Sequence, residues 1–480
     1  MTDLAVGVVG AMEDRALDAG VMALPSPPAS IHFMGLGGIG VSGLARILLE
    51  RGYRVSGCDL APSRLTDALA ARGAAVYAGH DPSHLDGVDL LVVSSAVRPE
   101  NPELAAAVER GLPIVKRAAL LGRLLRGLRT IAVAGTHGKT TTSALVVALL
   151  LDAGLDPTAF IGGEVPALDG NARGGHGAWA VAEADEYDRS FLRLAPAVAV
   201  ITNIEADHFD IYRDLAEVEE AFAAFVALLP ADGTIVACAD DARVRDVVAH
   251  ASCRVVRYGL DAPADWTARD VVFDSAGTRF TLHAPGVGAI PVVTRLSGRH
   301  NVANVLGALA AAAQAGVAPA AAIETLARFA MPRRRQEIKG HARGGALVID
   351  DYAHHPTEIR ATLAGLRARY PDARLRVAFQ PHTYGRTRAL LAEIAGSFGD
   401  ADEVAIAEVY AARQEASRDE GARVGGREVA AAASRVGARA TFTATLDDAA
   451  AWLGRDDGPD VALVTMGAGD IWKAGERICT

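Results

Sequence analysis

From Ile31 onward the chain alternates short apolar runs with helix-length amphipathic stretches. Residues 31–34, 54–58, 75–77 and 90–93 have the length and texture of buried strands, and 41–51 and 64–72 read as helices between them. Strand and helix repeated in that order point to a parallel α/β sheet. A second unit begins near residue 130 with a strand over 131–134, a glycine-containing turn and a helix over 141–153, followed by strands over 179–182 and 197–202. The texture changes at Pro332-Arg333-Arg334-Arg335, and a third unit follows with strands over 346–349, 375–379, 403–407 and 461–465. The pattern predicts three α/β domains, each on a mainly parallel sheet and each with its own core, over 30–127, 128–331 and 332–480. Residues 1–29, ending in Pro25-Ser26-Pro27-Pro28, are expected to be a flexible extension.

Composition narrows the function. Half of the 480 residues are apolar and 22% are charged, a globular balance that excludes a disordered or fibrous chain. Lys plus Arg number 48 against 58 Asp plus Glu, a formal charge of −10 with no basic run, so no nucleic-acid partner is expected. Cys58, Cys238, Cys253 and Cys479 have neither paired nor metal-like spacing, which fits reduced thiols in a cytoplasm. Asp3 stands where an export signal would carry positive charge, Glu13 and Asp14 follow at once on the short apolar stretch 5–12, and no apolar run is long enough to cross a bilayer. The expectation is a cytoplasmic chain without membrane insertion, a monomer or weak homodimer acting on small molecules.

Two glycine loops carry the chemistry. In the first, Gly35-Leu36-Gly37-Gly38-Ile39-Gly40 follows a strand and opens a helix, with Asp59 at the end of the next strand. Such a loop turns tightly, lets a diphosphate approach the backbone and sets the anion at a helix N-terminus. By itself it reads as a nicotinamide-dinucleotide site, as another diphosphate site, or as a tight corner with no ligand. Ser94 and Ser95, after another strand, either add hydroxyl donors at the same sheet edge or cap the next turn.

In the second, Gly135-Thr136-His137-Gly138-Lys139-Thr140-Thr141-Thr142 joins a strand to a helix. It is a shortened phosphate loop: Val133 stands where the longer form has its first glycine, yet backbone N–H groups, one ammonium and hydroxyls for a metal are all kept. Lys139 is one of only four lysines, with Lys116, Lys339 and Lys473, in a chain that otherwise uses arginine. A position that keeps lysine there asks for a compact point charge. A loop of this kind works with Mg2+, whose ligands are oxygens. Glu183-Ala184-Asp185-Glu186-Tyr187-Asp188 and Asn203-Ile204-Glu205-Ala206-Asp207-His208 each follow a strand and bring acids to that edge, as ligands or as ordinary turn residues. His208 reads either as a ligand beside Asp207 or as a cap.

Together these segments resemble the Mur ligases, the ATP-dependent amide-forming enzymes of bacterial peptidoglycan synthesis. The resemblance also rests on Gly298-Arg299-His300-Asn301-Val302-Ala303-Asn304, Asp350-Asp351-Tyr352-Ala353-His354-His355-Pro356, Gln380-Pro381-His382-Thr383-Tyr384-Gly385-Arg386-Thr387 and Gly467-Ala468-Gly469-Asp470, and it runs from Ile31 to Lys473. It implies a Rossmann-like first domain for a UDP-sugar, a phosphate-loop ATPase domain in the middle and a Rossmann-like third domain for the amino acid. Gly37, Gly38, Ile39 and Gly40, with Asp59, Ser94 and Ser95, would bind the sugar nucleotide. ATP would meet Gly135, Thr136, His137, Gly138, Lys139, Thr140 and Thr141 through its phosphates, His300, Asn301 and Asn304 through adenine, and Asp351 through ribose. Arg335 would reach the γ-phosphate, and Lys139, His208 and Arg335 are the implied catalytic residues. Thr140 and Glu183 would bind one Mg2+, and His208 would help to bind a second. His354, His382 and Arg386 fall at the amino-acid end, where an arginine fork suits an α-carboxylate; read without the family, His382 and Arg386 also fit a plain helix-start surface.

The chain departs from the family pattern in places. Several relatives carry a carbamylated lysine shortly after the histidine matching His208, but no lysine lies between Phe209 and Pro230. That agrees with the alanine-adding branch and leaves the bridge absent, or supplied by an acid such as Glu219 or Glu220. Gln336 stands where an aromatic residue commonly follows the paired arginines, and Cys58 where a serine is usual. For that branch the resemblance implies ligation of L-alanine to the lactyl carboxylate of UDP-N-acetylmuramate through an acyl phosphate formed from ATP. The competing classes are a nicotinamide-dependent oxidoreductase, which leaves Lys139 and the acids unexplained, and a nucleotide switch that turns over ATP without an acceptor. A ligase that recycles murein peptides is the nearer rival.

Overall fold

A computed structural model describes residues 24–61, 63–94, 97–411 and 424–479. In the first domain β1 (Ser30–Met34), β2 (Arg54–Asp59), β3 (Ala75–Ala78), β4 (Leu90–Val93) and β5 (Ile114–Lys116) pair in parallel, in the order β3-β2-β1-β4-β5. The order reverses between β1 and β4, so the segments after these strands open a crevice at the carboxyl edge. Helix α1 (Ile39–Glu50) starts at that crevice, and α2 (Pro102–Glu109) packs Leu104 and Ala107 against Met34 and Leu91.

The middle domain is a ten-stranded sheet. Its strands are β6 (Arg129–Ala134), β7 (Thr158–Val165), β8 (Gly170–Arg173), β9 (Trp179–Glu183), β10 (Pro196–Ile201), β11 (Thr234–Cys238), β12 (Arg254–Gly259), β13 (Trp266–Asp274), β14 (Gly277–His283) and β15 (Ile290–Thr294), in the order β15-β14-β13-β12-β11-β10-β6-β9-β7-β8. The centre is parallel, but β7–β8 and β13–β14–β15 pair antiparallel. The sequence reading saw the parallel centre and missed these strands, whose outer faces are polar and partly exposed. Helices α3 (Lys139–Asp152) and α4 (Arg299–Gln314) are buried on nearly every face, which is why α3 carries no amphipathic stripe.

In the third domain β16 (Glu337–His341), β17 (Leu347–Asp351), β18 (Arg374–Phe379), β19 (Glu403–Ala407), β20 (Ala440–Thr443) and β21 (Val461–Met466) follow the order β16-β17-β21-β18-β19-β20, with only β16–β17 antiparallel. Helix α5 (Pro356–Arg369) follows β17 and the short α6 (Tyr384–Ala389) follows β18.

One core per domain was expected, and the first two domains depart from that. A continuous apolar cluster runs from Ile31, Phe33 and Leu44 through Phe160 and Ala172 to Phe222 and Ile235. Gly43 of α1 permits the contact: a Cβ there would lie 2.7 Å from Asn171 Nδ2 and 3.1 Å from the Phe160 ring. Arg46 adds hydrogen bonds to the Leu168 and Asp169 carbonyls, both 2.8 Å. The expected extension lies outside the described residues up to residue 23, but Leu24 already packs against this core.

Candidate active site

The second glycine loop joins β6 to α3. Gly138 caps α3 with φ 81°, and a Cβ there would sit 2.5 Å from Asn304 Oδ1, so both backbone and space call for glycine. Lys139 folds back over the loop. Its Nζ donates to the Gly135 and Thr136 carbonyls at 2.6 and 3.1 Å, and to Glu186 Oε1 and Oε2 at 3.0 and 2.9 Å. Burial works against the ammonium, but Glu186 and Asp185 outweigh it and hold Lys139 charged. Thr140 Oγ1 donates to Glu183 Oε1 at 3.1 Å and accepts from Arg335 Nη2 at 3.4 Å.

Beside the loop is a cavity of about 380 Å³ between the middle and third domains. His137, Gly138, Thr140 and Thr141 line one wall, His300, Asn301 and Asn304 of α4 another, and Arg335 and Asp351 of the third domain the last. Thr136 stands just behind, its hydroxyl accepting from the Glu205 N–H at 2.8 Å. Asn304 donates to Asn301 Oδ1 at 3.2 Å, and Asn301 to the Ser297 carbonyl at 2.8 Å, so the two amides brace each other in the wall. Asp351 accepts from the Gln336 and Ala353 N–H groups, both at 2.8 Å; burial raises it to about 6 against the pull of Arg335.

His137 ties the loop to the third domain. Its Nδ1 is 3.1 Å from Glu358 of α5 and its Nε2 is 3.3 Å from Glu205. Burial would depress the imidazole, but the two carboxylates raise it to about 9. The sequence reading missed Glu358, because three residues after His355 it matches a helix capping box, which it also forms.

Asp185, Glu186 and His208 converge so that one ligand atom from each lies within 4.8 Å of the others. His208 adopts φ 53°, with Nε2 3.4 Å from Glu186 Oε1. The residues beside the loop suit Mg2+: Thr140 offers a hydroxyl and Glu183 a carboxylate whose second oxygen is fixed by the Gly162 N–H at 2.8 Å, all oxygen donors next to an ammonium. Glu219, one acid considered for the missing lysine, pairs with Arg243 at the surface, so the acids grouped with His208 are Asp185 and Glu186.

Of the residues expected at the amino-acid end, Arg386 sits on α6 with Nε 2.8 Å and Nη2 2.7 Å from Asp207 Oδ1, and Nη1 3.1 Å from His382 Nδ1. The sequence reading gave this fork to an incoming carboxylate. The structure fills it with Asp207, which clips α6 to the strand end of the middle domain. His354 donates its Nδ1 proton to the Tyr352 carbonyl at 3.0 Å, since a carbonyl can only accept, so Nε2 carries the lone pair. Burial lowers His354 to about 3 and His382 to about 4. Arg334 turns away from the loop to Asp350 at 3.0 Å and the Gly467 carbonyl at 2.6 Å, leaving Arg335 as the arginine that faces Thr140.

In the first loop Gly38 caps α1, Ile39 and Gly40 form its first turn, and the Gly37 N–H donates to Asp59 Oδ2 at 2.8 Å. Ser94 Oγ is 3.4 Å from where a Gly35 Cβ would be; Ser95 lies outside the described residues. Arg117, which no motif marked, reaches within 3.1 Å of a Gly40 Cβ position and lines a small pocket with Glu183 and Asp185. Its only sequence signal is its place directly after β5. Arg117 thus stands between Gly40 of the first loop and the acids Glu183 and Asp185.

Three parallel-centred sheets with two such loops define a nucleotide-binding α/β enzyme. The chain belongs to the Mur ligase family: models described as the Mur ligase family catalytic domain, the Mur ligase middle domain and the Mur ligase glutamate ligase domain match residues 30–129, 133–312 and 334–469. It is 42% identical to the UDP-N-acetylmuramate–L-alanine ligase of Geobacter sp. (strain M21) over 93% of this chain and 96% of that protein. The protein of the same name from Burkholderia mallei (strain SAVP1) is 45% identical over 92% and 95%. The solved UDP-N-acetylmuramate-alanine ligase from Thermotoga maritima is similar with a TM-score of 0.80 and 28% identity, covering 94% of this chain and 98% of that one. Family membership sets aside the oxidoreductase reading of the first loop.

Proposed function

We propose that this chain joins L-alanine to the lactyl carboxylate of UDP-N-acetylmuramate at the expense of ATP, giving UDP-N-acetylmuramoyl-L-alanine, ADP and phosphate. This is the first amino-acid addition to the peptidoglycan precursor. The observation that carries the reading is the cavity where the phosphate loop meets Arg335 and Asp351 of the third domain, in a chain alike over 93% of its length to ligases of that name.

An amide does not form from a carboxylate and an amine in water without activation. Phosphoryl transfer supplies an acyl phosphate, whose phosphate the amine then displaces. Lys139, pinned by two carbonyls, and Arg335, brought in by the third domain, put two cations beside the γ-phosphate. Mg2+ held by Thr140 and Glu183, with a second ion that His208 would help to hold, would supply further neutralisation of phosphate charge. His354, whose Nδ1 donates to the Tyr352 carbonyl and whose Nε2 therefore carries the lone pair, is the residue to which we give the amine proton. The His137–Glu358 contact closes the third domain over the cavity and keeps water from the acyl phosphate. We place the reaction in the cytoplasm, carried out by a monomer or weak homodimer.

The test is phosphate release with ATP, Mg2+ and UDP-N-acetylmuramate across a panel of amino acids. Release that depends on L-alanine is the expected result; release with a murein tripeptide but not alanine, or with no acceptor at all, overturns the reading.

A further inference from the structure

Behind the first loop, five side chains outside the cavity beside the phosphate loop meet in the first domain. His32 of β1 and Glu103 of α2 are fully buried, and Nε2 of His32 lies 3.0 Å from Glu103 Oε1 without hydrogen-bond geometry. Cys58 Sγ of β2 is 3.0 Å from Glu103 Oε2, and His84 Nδ1 is 3.1 Å from Glu103 Oε1. His80 Nδ1 stands 3.2 Å from Cys58 Sγ and 3.1 Å from Glu103 Oε2. Tyr77 stacks on the His84 ring at 4.3 Å and fixes its plane.

We propose that His32, Cys58, His84 and Glu103 form a structural zinc site. One ligand atom from each already lies within 4.8 Å of all the others, against the roughly 3.3–3.7 Å edges of a tetrahedron with Zn–N and Zn–S bonds of about 2.0–2.3 Å. The donor set of two imidazoles, one thiolate and one carboxylate suits zinc and not Mg2+, which takes oxygens. With a thiolate, a carboxylate and two neutral imidazoles, Zn2+ makes the site formally neutral, as burial demands. Binding releases the Cys58 thiol proton to solvent through the half-open side, where His80 and His84 are partly exposed. Four protein ligands leave no position open, so the ion would staple β1, β2, the segment after β3 and α2 together. Because Cys58 precedes Asp59, which holds the Gly37 N–H, the staple also fixes the base of the first loop. The proposal does not depend on the ligase reading.

The experiment is titration of the full chain, freed of metal by chelator, with Zn2+ and separately with Co2+ alone. A melting temperature raised by Zn2+, and a Co2+ spectrum of tetrahedral type with a thiolate-to-cobalt band, are expected. Cys58→Ser, which changes a single atom, should abolish that band and weaken Zn2+ by at least about tenfold, and His84→Gln should weaken it similarly. The cation clusters at the ATP site contain no cysteine, so they cannot produce the band. A wild-type chain without the band, or a band that survives in Cys58→Ser, overturns the proposal. So does Zn2+ affinity unchanged in both variants.

Discussion

Lys139 and Glu186 are paired through both carboxylate oxygens, at 2.9 and 3.0 Å, in the middle of the phosphate loop. An internal carboxylate thus holds the ammonium in place, and under the proposed function an arriving triphosphate would take over from Glu186. Lys139→Ala should therefore lower kcat by about 10³-fold or more, in a protein whose far-UV circular dichroism is unchanged. Lys139→Arg should not restore turnover, because a planar fork does not fit between the Gly135 and Thr136 carbonyls.

Arg335 crosses from the third domain to the loop, so its loss should appear in the chemical step. Arg335→Ala is expected to lower kcat by about 10²-fold or more with a smaller change in the KM for ATP, read from steady-state phosphate release. Arg334→Ala, which removes the contacts to Asp350 and Gly467, should instead lower the melting temperature.

Arg117 lies between Gly40 of the first loop and the acids Glu183 and Asp185. Arg117→Ala should raise the KM for UDP-N-acetylmuramate by about tenfold, about 1.4 kcal/mol, and leave the KM for ATP nearly unchanged.

Arg386 and Asp207 are both buried and face each other across a domain boundary. Asp207→Ala leaves an uncompensated buried guanidinium and should destabilise by about 3–5 kcal/mol, whereas the double variant with Arg386→Ala should recover part of that loss. Thermal melts of the two single variants and the double variant read the coupling.

His137 makes the closed arrangement pH-dependent. Its folded value of about 9 lies above the ordinary 6.5, so its contribution is complete below pH 6.5 and fades as pH rises through about 9. Melting temperatures taken between pH 6.5 and 9.5 should fall more steeply for wild type than for His137→Gln, in which that titration is gone.

Much of this was legible in the chain itself. The parallel centres of all three sheets follow from buried strands that are apolar throughout, and the phosphate loop from a glycine, a lysine and hydroxyls at fixed spacing after a strand. Those are local facts, set by neighbours a few residues apart. The antiparallel strands β13–β15 were not legible, because their half-exposed faces mix polar and apolar residues without a clean alternation. Arg117, Glu358 and the partner of Arg386 were not legible either: Glu358 and Asp207 act across 221 and 179 residues of chain and Arg117 between domains, and a lone arginine or acid carries no local signal of what it will face. Sequence by itself determined the elements and the chemistry that each loop can offer. Only the tertiary structure decided which charges meet, because burial and the closing of one domain on another pair groups that the chain holds far apart.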